Sequence, residues 1–107
     1  MTSKRLETLK SMLVEEPKDS FILYAIAKEY ESLSNYPDAL EYFLLIRKND
    51  NMYVGLYYHL GKLYEKMEDT GKAMEAYEAG IIVAKKIPDF HALSELNNAK
   101  LNLEMEL

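Results

Sequence analysis

A chain of 107 residues is the size of one small domain; with 49% apolar residues, nine Tyr, three Phe and six Met it can bury a core, which excludes a disordered chain. A formal charge of −5 with no Lys/Arg-rich run repels phosphate backbones and argues against nucleic acid as a partner. Cysteine is absent, which excludes disulfide scaffolds, thiol nucleophiles and cysteine metal sites and suits a reducing, cytoplasmic setting.

The opening Met-Thr-Ser-Lys-Arg-Leu-Glu-Thr-Leu-Lys carries charge with no apolar run behind it, which is not the pattern of a secretory signal. Nothing approaches the roughly 18 consecutive apolar residues of a membrane span, so no membrane partner is expected. Apolar residues recur at three- and four-residue steps almost throughout, the spacing of helices. The first helix is predicted over about Ser3 to Glu16, with Leu6, Leu9, Met12 and Leu13 on one side and Pro17 past its end. The second opens at Asp19 or Ser20, both good N-caps, and runs to about Leu33. The third opens at Pro37, where a missing N–H costs little, and lasts to Lys48. The fourth begins after Asn51 and reaches Met67; the fifth runs from about Thr70 to Lys86; the sixth opens at Pro88-Asp89 and fades near the carboxyl end. Connections this short force neighbouring helices antiparallel.

The second and third helices are then repeated by the fourth and fifth. Tyr30 and Tyr64, Ala39 and Ala73, Lys28 and Lys62, and Phe43 and Tyr77 are each 34 residues apart, and Ala27/Gly61 and Ile26/Leu60 keep the same step. Helix, turn, helix at that period resembles the tetratricopeptide repeat family from Ser20 to Ile87. Ala27/Gly61 look like its small helix-crossing residue, Tyr30/Tyr64 like its first-helix aromatic, and Ala39/Ala73 with Phe43/Tyr77 like its second-helix pair. The chain departs from the pattern at Leu23 and Tyr57, where Trp is frequent, at Asn51 and Lys85, where Pro is, and at Ile46 and Gly80, where Ala is. One period back, Arg5 to Pro17 sits like a second helix without its first; one period on, His91 to Leu107 takes the place of a next first helix. There Ser94, Glu95 and Asn98 replace the small and aromatic residues, as in an end cap facing water.

The resemblance implies an all-α fold, a right-handed superhelical stack of about six helices in antiparallel pairs. It divides a single domain over 1–107 into a flanking helix (1–17), two repeats (20–53 and 54–87) and a capping helix (88–107). Packing physics explains the same letters. Small Ala27, Gly61, Ala39 and Ala73 let helix axes approach while Tyr30, Phe43, Tyr64 and Tyr77 fill the adjoining space. Gly61 costs about 1 kcal/mol inside a helix, which makes sense only if a ring or backbone occupies the space beside it.

A second stripe lies about 130° from the core stripe on each first helix. It holds Phe21, Tyr24, Lys28 and Glu31 on the second helix, and Tyr58, Lys62 and Glu65 on the fourth. In the family this stripe lines a concave groove for an extended peptide or partner segment. The resemblance therefore implies a non-catalytic protein-interaction module, or scaffold, with these seven residues as its contacts. Rings supply area, Lys meets carbonyls or acidic groups, and Glu selects against acidic neighbours. The same charges also fit ordinary solvated pairs on a helix face. Some members grip an acidic carboxyl-terminal tail with Lys and Asn; here Tyr24 and Lys28 replace the first such pair, and Asp89 and Leu93 stand where further cations belong.

The alternative is weak self-association, a homo-oligomer formed through an open end of the stack or through Leu44 and Leu45, which widen the apolar face of the third helix. The methionines at 12, 52, 67, 74 and 105 fit adaptable packing residues. No catalytic constellation assembles: His59 and His91 lack a metal-ligand spacing, Ser94 has no nucleophile elbow, and no Gly-rich loop cradles phosphate. Neither an enzyme nor a cofactor is expected.

Overall fold

A computed structural model describes residues 3–107; the first two residues of the expected 1–17 flank lie outside the described residues. The described residues form six α-helices: α1 (Lys4–Glu15), α2 (Ser20–Ser32), α3 (Tyr36–Asn49), α4 (Gly55–Lys66), α5 (Thr70–Lys86) and α6 (Phe90–Glu106). They fall into two compact units, one ending at Tyr53 and one beginning at Val54. The fold is all-α, with helices packed in pairs inside each unit.

In the first unit α1 packs on α2, and α2 on α3. Ser3 caps α1 by accepting from the Leu6 N–H at 3.0 Å, and its hydroxyl donates to Glu29 of α2 at 2.7 Å. The cap of one helix is thus also a tie to the next. Lys10 lies 5.2 Å from the centre of the Tyr30 ring, which stacks on Tyr42 of α3. Asp19 caps α2 through the Ile22 N–H at 3.1 Å. Ile22, Leu23, Ile26, Ala27 and Tyr30 of α2 then bury alongside Ala39, Phe43 and Ile46 of α3.

The second unit packs α4 on α5, and α6 on both. Asp69 caps α5 through the Lys72 N–H at 3.1 Å, and Asp89 caps α6 through the Ala92 N–H at 3.0 Å. Two glycines permit this packing. A Cβ on Gly61 would lie within 2.6 Å of ring atoms of Tyr77, and one on Gly80 would come to 2.5 Å from Cβ of Tyr57. Gly61 thus admits the Tyr77 ring of α5, and Gly80 admits the base of the Tyr57 side chain of α4 with Leu96 of α6 beside it, which accounts for glycine inside both helices.

Both hairpins turn alike. Ser34 and Glu68, one period apart, have φ of 58° and 61°. Each sits just past a helix end, and the next N–H reaches back to a tyrosine carbonyl, Asn35 to Tyr30 and Asp69 to Tyr64, both at 2.9 Å. That left-handed position ordinarily favours glycine, and neither copy has one.

Three expectations need correction. Helix α4 starts at Gly55 rather than just after Asn51: Val54 offers no side-chain cap, and the Tyr53 N–H bonds back to the Asp50 carbonyl at 3.1 Å, holding residues 50–53 in a turn. Met12, Met52 and Met105 are exposed and do not pack a core. The outer face of α6 is not simply polar, because Phe90, Leu101 and Met105 are exposed on it.

Candidate functional site

The seven candidate residues divide between the units. On α2, Phe21 is 69% exposed at the first turn, beside Ser20, whose hydroxyl donates to Asp50 at 3.3 Å. One turn on, the Tyr24 ring is half-buried, 6.2 Å from Phe43 edge-on and 6.3 Å from Tyr53. Lys28 places its ammonium 3.0 Å from Glu31. Glu31 is only 8% exposed. It is not the solvent-facing selector that the sequence suggests; its carboxylate is spent inside the fold, and it fixes Lys28.

On α4, the ammonium of Lys62 lies 5.6 Å from the centre of the Tyr58 ring and 3.8 Å from Glu65. The edge of His59 meets Tyr58 at 5.4 Å between ring centres. Glu65 also accepts a hydrogen bond from the hydroxyl of Tyr77 on α5. Burial, and after it this bond to a carboxylate, pushes the Tyr77 hydroxyl far above the ordinary range for tyrosine. Here too the carboxylate is an internal anchor. The lysines are 40% and 39% exposed at their side chains, and Tyr24 and Tyr58 are half-buried, so ring and cation remain at the surface in both units.

Two residues absent from the expected set shape these triplets. Tyr53 presses on Tyr24, and its own hydroxyl is raised by burial and then by the carboxylates of Asp19 and Asp50. Its register equivalents are Asp19 and Ile87, so the repeat carries no signal for it. Tyr77 is the equivalent of Phe43, and its extra hydroxyl is the signal that could have located the Glu65 anchor.

Among the described residues no helix is long and apolar enough to cross a membrane, and no group of three or more His, Asp or Glu converges to hold a metal.

The helix-pair geometry defines a helical-repeat protein, and comparison with known proteins identifies the repeat. A tetratricopeptide repeat model matches residues 54–83. The crystal structure of a tetratricopeptide repeat domain protein from Salinibacter ruber is 44% identical, covers 80% of this chain and 97% of its own, and superposes with a TM-score of 0.76. The chain belongs to the tetratricopeptide repeat family. The TPR2B domain of yeast Sti1, solved in a complex with pHsp70, shares the fold at a TM-score of 0.87 with 14% identity, over 95% of this chain and 82% of that one. Subunit sfc4 of transcription factor tau from Schizosaccharomyces pombe is 32% identical over 88 residues, which is 80% of this chain and 9% of that subunit.

Proposed function

We propose that the chain is a non-catalytic module that binds a protein or peptide segment through Phe21, Tyr24 and Lys28 of α2 and Tyr58 and Lys62 of α4, with Glu31 and Glu65 holding the lysines in place. One observation carries the reading: a half-buried tyrosine and a half-exposed lysine recur one period apart, each lysine paired with the glutamate three residues on. Each repeat thus keeps a ring and a cation at its surface, in register with the core. Packing has already removed the side-chain freedom that binding would otherwise cost, so the rings present contact area at low entropic expense. The yeast Sti1 domain, captured with pHsp70, supports protein binding as the use of this fold.

The test uses a display library of random peptides selected on the immobilised 107-residue chain. A selected peptide is expected to lose about tenfold or more in affinity against Tyr24→Ala/Tyr58→Ala, the scale of two lost aromatic contacts. Unchanged affinity, in a variant whose melting curve is still cooperative, refutes the site.

A further inference from the structure

The two outermost helices are each half of a hairpin. By the 34-residue register α1 is a second helix and α6 a first helix. Within each unit the paired helices each bury a small residue at matching register: Ala27 of α2 and Ala39 of α3, and Gly61 of α4 and Ala73 of α5. The equivalent position on α6 is Glu95 and on α1 is Arg5, both exposed. Where every complete hairpin has two small neutral residues, the incomplete ones carry one acid and one base.

Beside Glu95 the equivalents of Tyr57, Leu60 and Tyr64 are His91, Ser94 and Asn98, all exposed, and apolar side chains are exposed on the stripe next to them. Phe90 is 76% exposed although its equivalents Ile22 and Leu56 are buried. Leu101 and Met105 extend the stripe, 53% and 77% exposed. On α1, Met12 is 46% exposed, although its equivalents Ile46 and Gly80 are buried. Arg5 and Met12 share one side of α1, with Leu9 at its edge. Its Nε is 3.7 Å from Glu29, yet the side chain is 69% exposed and can reach outward.

We propose that α6 of one copy takes α1 of a second copy as its missing second helix, so that the chain associates with itself head to tail. The charges select this arrangement among the self-pairings. Pairing α6 with α6 sets Glu95 against Glu95, and α1 with α1 sets Arg5 against Arg5; α6 with α1 opposes unlike charges. Such a contact uses two different surfaces, so each copy offers one of each and assembly closes into a ring or continues as a chain.

Light scattering on the 107-residue chain across a concentration series tests this. The average mass is expected to rise with concentration from one copy to two or more. Arg5→Glu and Glu95→Arg each lower the association constant about tenfold or more, the double variant restores it, and an equimolar mixture of the two single variants restores it as well. Glu95→Arg alters an exposed side chain and should leave the melting temperature unchanged, which separates lost association from lost folding. Phe90→Glu abolishes assembly, whereas Tyr24→Ala/Tyr58→Ala leaves it intact. A monomer at every concentration overturns the proposal. So does a mass that stops at two copies and ignores both charge reversals; that result would assign the face to α6 pairing with α6.

Discussion

Tyr77→Phe deletes one hydroxyl from a fully buried ring and leaves the packing as it was. What is lost is the bond to Glu65. A hydrogen bond to a charged acceptor contributes about 1.5–3 kcal/mol. The Glu65 side chain is 24% exposed and keeps Lys62 at 3.8 Å, so the abandoned carboxylate can turn to water and the lower end applies. The expected loss is about 1.5 kcal/mol, a fall of about 6–12 °C in melting temperature for a domain of this size. The substitution also has a pH signature. The folded hydroxyl keeps its proton where the unfolded one, with an ordinary value of 10.0, releases it. Above pH ~10 the folded state therefore binds more protons, and stability declines by up to about 1.4 kcal/mol per pH unit. Urea titrations between pH 7 and 11 should show that decline in the parent and a shallower one in Tyr77→Phe, the remainder coming from Tyr42, Tyr53 and Lys10, which also hold their protons more tightly in the folded chain. Equal stability at pH 7, or identical alkaline limbs, would refute the argument.

Glu68→Gly relieves a left-handed backbone without touching a core residue, and urea titration should show a gain of about 0.5–1 kcal/mol. Gly61→Ala works in the opposite direction: its Cβ meets the Tyr77 ring, so an overpacking cost of about 1–3 kcal/mol exceeds the ~1 kcal/mol helix-propensity gain, and thermal melting should show net destabilisation.

Helix existence was legible because Asp19, Asp69 and Asp89 announce helix starts and apolar spacing announces faces. The 34-residue step also marked where helices approach, since Ala27, Gly61, Ala39 and Ala73 are all buried. The start of α4 was not legible, because Val54 makes no side-chain cap and the turn before it closes through the Tyr53 N–H to the Asp50 carbonyl, a bond that no residue type announces. The left-handed turns were hidden because Ser34 and Glu68 adopt a conformation that neither residue type advertises. At the candidate site, spacing places Tyr24, Lys28 and Glu31 on one stripe but cannot tell a solvated carboxylate from one used internally. Periodicity fixes direction around a helix and says nothing of what lies there, which is also why Met105 looked like a packing residue.

The side chains seated over Gly61 and Gly80 have a consequence for how such hairpins can diverge. From the first hairpin to the second, Phe43 becomes the larger Tyr77 while Ala27 shrinks to Gly61; Leu23 becomes the larger Tyr57 while Ile46 shrinks to Gly80. The two glycines give up more volume than the two tyrosines add, and Leu96 of α6 takes part of the space beside Gly80. What must change together is then α5 with both its neighbours, and grafting α3 in its place would set an isoleucine against Tyr57 of α4 and Leu96 of α6.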